Sequence, residues 1–212
     1  MGRLNLKMPA KGTPVSGNKS DPLLYYYHPL VGWLYERRIN LGLSLLEYPI
    51  KNILEVGVGS GLLVPLLGSI SEKYVGIDLI LSEKFLSAYN KGDKVIFHKM
   101  NICKTSFDND SFDTIICFSV LEHILALDDA VREITRILKP RGQFIAGFPS
   151  VNSFMTFCFH LIGFHEIKKY HLNNSNQIIK VILKHLKIRK IKTIPPFISP
   201  NKALYTCLKT EK

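Results

Sequence analysis

The sequence is poor in cysteine, and it has no long apolar run. Four cysteines are scattered along 212 residues without a C-x-x-C pair, so neither a zinc site nor a disulfide framework is predicted, and we expect a reducing, cytoplasmic location. No apolar run reaches the roughly 20 residues of a transmembrane helix, and the first 20 residues lack the apolar segment of a signal peptide. Residues 1–20 are therefore predicted to form a flexible basic leader, and residues 21–212 a single domain.

Acidic side chains are scarce mainly at the two flanks of the chain. The sequence has 28 Lys and Arg residues against 17 Asp and Glu residues, which gives a net charge of +11. Residues 1–20 carry four basic and no acidic side chains, and residues 165–212 carry eleven basic and two acidic ones. Such flanks fit contact with nucleic acid, an anionic membrane surface or an acidic substrate, and a solvated lysine-rich surface fits the same pattern.

Three alternating glycines follow an apolar segment in Asn52-Ile-Leu-Glu55-Val-Gly57-Val-Gly59-Ser-Gly61. The apolar residues before the glycines predict a buried parallel strand, and the leucines after them recur at helical spacing. Glycine suits the turn between them because it adopts positive φ and lets a ligand approach the backbone. Dinucleotide enzymes prefer G-x-G-x-x-G, whereas G-x-G-x-G with an acid two residues before it favours S-adenosylmethionine. An ordinary tight turn is the alternative.

A second apolar segment, Tyr74 to Ile77, ends at Asp78. This acid follows the glycine turn by about 20 residues, a spacing at which a carboxylate accepts hydrogen bonds from the ribose hydroxyls of a bound adenosine. Capping of the next helix is a second role for Asp78, and the two roles are compatible.

With two further segments, these motifs resemble the class I S-adenosylmethionine-dependent methyltransferases, specifically the type 11 group that includes the quinone-pathway methyltransferases. The four segments that carry the resemblance are Leu54 to Gly61, Gly76 to Asp78, Phe112 to Ile124 and Leu138 to Ile145. The resemblance implies an α/β fold with a doubly wound, mostly parallel, seven-stranded Rossmann-like sheet and helices on both faces. It also implies S-adenosylmethionine as the cofactor of the domain at residues 21–212.

The same resemblance implies the cofactor contacts. Asn101 stands where the family usually has an Asp that binds adenine, and its side-chain carbonyl keeps an acceptor. Arg37 or Arg38 would bind the cofactor's carboxylate, and Arg37 is favoured because relatives place an arginine at a similar distance before the first-strand acid. The predicted cofactor-binding residues are Arg37, Glu55, Gly57, Gly59, Gly61, Asp78, Leu79, Asn101, Ile102 and Ser119.

Strand and helix patterns alternate from Lys51 to Phe148, which predicts a parallel sheet covered by helices on both faces. Residues 22–47 are predicted to form one or two helices before the first strand. Residues 187–194 and 203–208 are predicted as two further strands. The antiparallel orientation of the last strand is implied by the resemblance.

Aromatic and aliphatic residues crowd together between residues 151 and 164, with a polar stripe at helical spacing. The family resemblance implies that an insert at about residues 150–172 forms a lid over the substrate, and a helix packed in the core is the alternative. The apolar segment fits a lipophilic acceptor. Lys168 and Lys169, which follow it, fit peripheral contact with an anionic membrane surface.

Two histidines are candidate catalytic bases. Methyl transfer needs few protein groups, because the cofactor supplies the reactive carbon, but a protonated acceptor still requires a base. His123 lies at the predicted end of the fourth strand, and His171 follows the predicted lid. A structural role in helix capping and a surface position are the respective alternatives. No metal site is predicted.

The sequence therefore predicts an S-adenosylmethionine-dependent methyltransferase that acts on a small, lipophilic acceptor. An RNA methyltransferase is an alternative suggested by the basic flanks, but no RNA-binding module is recognisable, so nucleic acid is disfavoured. A non-catalytic, cofactor-binding regulatory protein is an alternative of another class. A nicotinamide-dependent dehydrogenase is disfavoured by the glycine spacing. The sequence determines neither the acceptor nor the oligomeric state.

Overall fold

Strands and helices alternate through most of the chain in the computed structural model, which describes residues 4–11, 23–89, 92–150 and 171–212. The described helices are α1 (Leu23–Tyr26), α2 (Gly32–Leu43), α3 (Val64–Ile70), α4 (Glu83–Tyr89), the 3-10 turn η1 (Leu121–His123), α5 (Leu127–Ile137) and α6 (Ser175–His185). The strands are β1 (Ile50–Val56), β2 (Ser71–Asp78), β3 (Val95–Lys99), β4 (Phe112–Phe118), β5 (Leu138–Pro149), β6 (Lys187–Ile194) and β7 (Tyr205–Glu211). Most of the predicted lid at about residues 150–172, namely residues 151–170, lies outside the described residues.

The seven strands form one sheet in the order β3-β2-β1-β4-β5-β7-β6. Strands β1 to β5 pair in parallel, and β7 runs antiparallel to both β5 and β6. The doubly wound, mostly parallel sheet that the sequence predicted is therefore confirmed. The strand order reverses between β1 and β4, and ligands of open α/β sheets bind at the carboxyl ends of the strands beside such a reversal.

Helices cover both faces of the sheet. Helix α5 has two aspartates in its first turn and an arginine in its last, as the helix dipole favours. Its apolar side chains at 127, 130, 131, 134 and 137 are buried, together with those of α6, against one face of the sheet. Helix α6 begins with a capping box in which Asn174 and Gln177 each accept a backbone hydrogen bond from the other. Helices α2, α3 and α4 pack against the opposite face.

Part of the predicted leader contacts α2. Leu6 is buried, and its backbone amide donates a 2.6 Å hydrogen bond to Asn40. The Tyr27 hydroxyl donates to the carbonyl of Pro9. Flexibility stays a prediction for residues 1–3 and 12–20, which lie outside the described ranges. Within the four ranges described above, no helix combines the length and the apolarity that crossing a membrane requires.

Candidate functional site

The glycine turn lies at the carboxyl end of β1, beside the reversal of strand order. Gly57, Gly59 and Gly61 all have positive φ, at 79°, 53° and 72°. A Cβ atom on Gly57 would lie 2.2 Å from a methyl group of Val120, and one on Gly61 would lie 2.7 Å from the ring of Tyr89. Only glycine therefore fits these two positions, because both the conformation and the space exclude a side chain.

Asp78, at the end of β2, holds the glycine turn. Its Oδ2 accepts a 3.0 Å hydrogen bond from the Gly59 amide, and its Oδ1 accepts one from the Ile80 amide. Leu79, next to it, is 61% exposed. Each carboxylate oxygen retains acceptor capacity beyond its one backbone partner, so the structure brings Asp78 and the three glycines into one cradle.

Glu55 is buried behind this cradle, with 5% of its surface exposed. The Tyr74 hydroxyl donates a 2.6 Å hydrogen bond to its carboxylate. Burial raises the pKa of Glu55 to about 8, although the hydrogen bond from Tyr74 acts in the opposite direction. At neutral pH this group is therefore protonated to a large extent.

The end of β3 lies beside the end of β2, because the Met100 amide donates to the carbonyl of Asp78. Asn101 follows on the exposed surface, and its side-chain oxygen accepts a hydrogen bond from the Cys103 amide. Ile102 is buried in the core beneath it. Both predicted adenine-side residues thus directly follow Met100, whose amide is bonded to Asp78.

Ser119 follows the last residue of β4 in a left-handed conformation, with φ at 57°. Its amide donates to the carbonyl of Gly147, and its hydroxyl lies 3.0 Å from the hydroxyl of Tyr205. Positive φ is uncommon in serine and is often found at functional sites. The hydroxyl contact of this strained serine joins the carboxyl end of β4, called the mouth of β4 below, to the first residue of β7.

The two histidines that the sequence singled out lie together at this same mouth. The rings of His123 and His171 meet edge to face, with centroids 4.9 Å apart. His171 is held there by backbone contacts, since the amides of Leu172 and Asn173 both donate to the carbonyl of Glu122. The side chain of His123 is 44% exposed, so one face of the pair is open to solvent.

Glu122 completes a cluster that the sequence did not single out. One carboxylate oxygen of Glu122 and one ring nitrogen from each of His123 and His171 all lie within 4.8 Å of one another. Glu122 is only 1% exposed. Among the residues that the structure describes, neither of its oxygens has a hydrogen-bond partner, and Nδ1 of His171 has none either.

Burial controls the charge of this cluster. It raises the pKa of the Glu122 carboxyl to about 8, against the opposing effects of the residue's own backbone amide and of Arg38. It lowers the pKa of His171 to about 4, and the charges of His123 and Arg38 lower this pKa further. His171 is therefore neutral at pH 7, with a lone pair on one ring nitrogen.

The two consecutive arginines of α2 lie in different surroundings. Arg37 is exposed and lines a surface depression with Trp33 and Asn40. The guanidinium of Arg38 lies 4.0 Å from the ring centroid of Tyr35 and donates to the hydroxyl of Tyr26. Which of the two arginines faces the sheet depends on how α2 packs against it. The distance of each arginine from Glu55 in the sequence therefore did not distinguish them.

Comparison with known proteins identifies the domain that contains the glycine turn. The family described as "Methyltransferase domain" matches residues 54–146, which include the glycine turn, Asp78 and the Glu122-His123 pair. Residues 54–146 therefore carry a class I S-adenosylmethionine-dependent methyltransferase domain, as the sequence predicted. S-adenosylmethionine is therefore the cofactor of this methyltransferase domain, as the sequence predicted.

Curated relatives of this methyltransferase include enzymes named for ubiquinone biosynthesis. It is 27% identical over 139 residues to the ubiquinone biosynthesis O-methyltransferase of Aromatoleum aromaticum, an alignment that covers 62% of this chain and 58% of the relative. It is 30% identical over 131 residues to the enzyme of the same name from Pelagibacter ubique, with 58% and 53% covered. The chain thus spans less than two thirds of the length of these relatives.

Solved structures share the fold of this methyltransferase at low sequence identity. The N-methyltransferase NodS of Bradyrhizobium japonicum, in complex with S-adenosyl-L-homocysteine, superposes with a TM-score of 0.65 at 16% identity, covering 92% of this chain and 93% of NodS. The [4+2]-cyclase SpnF superposes with a TM-score of 0.64 at 15% identity, covering 85% and 83%. Because one neighbour is named a cyclase, the fold by itself does not determine the reaction.

Proposed function

We propose that this protein transfers a methyl group from S-adenosylmethionine to an oxygen atom of a small, lipophilic acceptor. The observation that carries the proposal is the cradle at the reversal of strand order, where the Gly59 amide is tied to Asp78. The names of the ubiquinone-biosynthesis relatives support oxygen as the methylated atom. Lipophilicity of the acceptor rests on the apolar composition of residues 151–164, which lie outside the described ranges.

The residues of the cradle fit the cofactor. The three glycines leave room at the backbone that a Cβ atom would fill, and we assign to Asp78 the ribose hydroxyls, since its two oxygens retain acceptor capacity. Asn101 and Ile102, beside Asp78, are assigned to the adenine, with Leu79 adjoining. When bound, the cofactor supplies a methyl group on a positively charged sulfur.

Two further assignments concern the other end of the cofactor. Glu55 lies buried behind the turn, where a protonated or hydrogen-bonded carboxyl supports the glycine backbone. We assign the carboxylate of the cofactor to Arg38 in preference to Arg37, because Arg38 lies among Tyr26, Tyr35 and Tyr205 near the mouth of β4. Its buried Nε has no hydrogen-bond partner within the described parts of the chain, so an anionic group would complete its contacts.

The acceptor is assigned to the mouth of β4. Ser119 directly follows β4 and contacts Tyr205, and the cluster of Glu122, His123 and His171 lies a few residues further along the same loop. A neutral His171 beside a half-exposed His123 provides the groups that a protonated acceptor oxygen requires. We therefore propose that the proton of the acceptor is handled by this cluster.

Calorimetry and a transfer assay test the proposal. The purified chain should bind S-adenosyl-L-homocysteine and not NAD. With S-adenosylmethionine labelled at the methyl group, label should pass to phenols that carry apolar side chains and not to RNA oligonucleotides. Label in RNA would favour the RNA methyltransferase, and cofactor binding without transfer to any acceptor would favour a regulatory protein. Membrane contact and a cytoplasmic location stay predictions.

A further inference from the structure

The side chain of Tyr205 reaches across the sheet from the start of β7. Tyr205 is the first residue of this strand, it is 2% exposed, and it pairs with Pro149 of β5. Its hydroxyl nevertheless lies 3.0 Å from that of Ser119, which follows β4, the strand on the far side of β5. Gly147 of β5 makes this crossing possible, because a Cβ atom on Gly147 would lie 2.8 Å from the hydroxyl oxygen of Tyr205. The ring of Tyr205 is therefore held at both ends, by its strand and by its hydroxyl.

This ring lies beside the guanidinium of Arg38, with 5.4 Å between the central carbon of the guanidinium and the ring centroid. Tyr35 and Tyr26 supply two further rings around the same guanidinium, at 4.0 and 5.6 Å. A cation is attracted to the faces of aromatic rings at such distances. Tyr26 and Tyr35 belong to α1 and α2, the layer that also carries Arg38, whereas Tyr205 belongs to the sheet. Of the three rings, Tyr205 is therefore the one that fixes the guanidinium relative to the strands that carry the cradle.

Arg38 also retains a donor for a ligand. Its Nε is buried, and none of the residues in the four described ranges accepts a hydrogen bond from it. A buried cation is costly unless an anion pairs with it, because burial removes its solvation by water. A carboxylate can accept two parallel N–H bonds from a guanidinium. The guanidinium is planar and its donors have fixed directions, so its orientation determines how well a carboxylate binds.

We propose that Tyr205 is a positioning residue for the amino-acid tail of the cofactor and that it acts through Arg38, a role that rests on the proposed function. The ring of Tyr205 holds the guanidinium in the orientation that binds the carboxylate of the tail. The role depends more on the ring than on the hydroxyl, because the ring lies against Arg38 and the hydroxyl anchors the ring to Ser119. The pair of Tyr205 and Arg38 thereby favours ligands that carry the carboxylate over adenosine derivatives that lack it.

Calorimetry with two nucleosides tests this role without a methyl acceptor. S-adenosyl-L-homocysteine carries the amino-acid tail, whereas 5′-methylthioadenosine has a methyl group in its place. The parent should bind S-adenosyl-L-homocysteine more tightly. Tyr205→Leu should lower the affinity for S-adenosyl-L-homocysteine by about 10-fold, and Tyr205→Phe, which keeps the ring, by no more than about 3-fold. Both variants should bind 5′-methylthioadenosine as the parent does.

Two further variants locate the effect. Arg38→Met should lower the affinity for S-adenosyl-L-homocysteine, and adding Tyr205→Leu should lower it no further, because the ring acts through the guanidinium. Phe144→Leu is the matched control. It removes a buried ring from the neighbouring strand β5, in the core on the opposite face of the sheet, and it should leave the affinities for both nucleosides unchanged. Thermal unfolding verifies that each variant is folded.

An equal loss of affinity for the two nucleosides in folded Tyr205→Leu would overturn the proposal, because a purely structural role gives that result. A further loss for S-adenosyl-L-homocysteine when Tyr205→Leu is added to Arg38→Met would also overturn it. Equal affinity of the parent for the two nucleosides would show that Arg38 does not bind the carboxylate, and the role of Tyr205 would fail with it. These three outcomes leave cofactor binding intact, whereas a parent that binds neither nucleoside would contradict the proposed function itself.

Discussion

The Gly59 amide donates a 3.0 Å hydrogen bond to Oδ2 of Asp78, and this bond joins the glycine turn after β1 to the end of β2. The two residues are 19 positions apart and belong to neighbouring parallel strands. A carboxylate that orders the turn also presents its remaining acceptor positions to any ligand in the cradle. Loss of this carboxylate would therefore affect both the shape of the turn and the proposed contact with the ribose.

Asp78→Ala should weaken binding of S-adenosyl-L-homocysteine, because it removes charge-assisted hydrogen bonds worth roughly 1.5–3 kcal/mol each. By calorimetry we expect a loss of affinity of about 10-fold or more, and a smaller loss for Asp78→Asn, which keeps one acceptor oxygen. Asp93→Ala, at an exposed position before β3, should bind as the parent does. Unchanged affinity in Asp78→Ala would contradict the ribose assignment.

Gly57→Ala should abolish cofactor binding or destabilise the fold. The new methyl group would lie 2.2 Å from Val120, and alanine would be held at a φ of 79°. Gly68→Ala is the matched control: its Cβ would lie 3.4 Å from Val95, and alanine favours the helical conformation of α3. Thermal unfolding with and without S-adenosyl-L-homocysteine distinguishes the two variants. If both retain parental stability and affinity, the turn tolerates a side chain and our account of it is wrong.

Local patterns predicted the residues of the cradle, whereas the proposed acceptor site depends on contacts between residues far apart in sequence. Neighbouring residues in the sequence indicate the glycine turn, Asp78 and the strand at residues 187–194. The apolar periodicity and the glycines were therefore sufficient to predict them. Burial of Glu122 was not predictable in this way, because it depends on β4, η1 and the chain that returns at Leu172. The orientation of Arg38 toward Tyr205 likewise depends on how α2 packs against the sheet.

The last strand illustrates the same limit. The sequence predicted it at residues 203–208, and the structure has it at Tyr205–Glu211. Its final residues carry polar side chains, but they pair with strands on both sides, Glu211 with Gln143 of β5 and with Lys187 of β6. Pairing in a sheet supplies backbone hydrogen bonds that no local pattern records.

Tyr74→Phe should make the stability of the protein more sensitive to pH. Glu55 has a pKa of about 8 in the folded state, well above its ordinary value of 4.5, because it is buried. The folded state therefore binds more protons than the unfolded state between these values, and stability falls as pH rises from about 4.5 to 8, by at most about 1.4 kcal/mol per pH unit. Removing the hydrogen bond from Tyr74 raises the pKa further and extends this loss to higher pH.

Urea unfolding of the parent, Tyr74→Phe and Glu55→Gln between pH 5 and 9 measures this effect. Glu55→Gln should reduce the fall of stability with pH, since glutamine does not titrate. Tyr74→Phe should also lose about 1–3 kcal/mol at pH 7, the cost of an unsatisfied buried polar group. The same pH dependence in all three proteins would show that Glu55 does not control it.

Glu133 should stabilise the fold at neutral pH and lose this effect in acid. Its carboxylate accepts hydrogen bonds from Arg136, at 2.7 and 2.9 Å, and from the amide and hydroxyl of Thr105. These contacts, that of Arg136 first, lower the pKa of Glu133 to about 2. A group with a depressed pKa in the folded state contributes stability above its unfolded pKa, near 4.5, and loses it as pH falls toward 2.

We expect Glu133→Gln to unfold about 1–3 kcal/mol more easily than the parent at pH 7, the range for hydrogen bonds to a charged group, and the difference to shrink as pH falls below about 4. Arg136→Lys should show part of the effect, because lysine keeps the charge but not the two-pronged contact with the carboxylate. Glu72→Gln, at an exposed position of β2, is the control and should follow the parent at every pH. Urea unfolding at a series of pH values measures all four proteins. If Glu133→Gln and the parent differ by the same amount at pH 2.5 and at pH 7, the stabilisation does not come from the ionised carboxylate, and the network would act through packing alone.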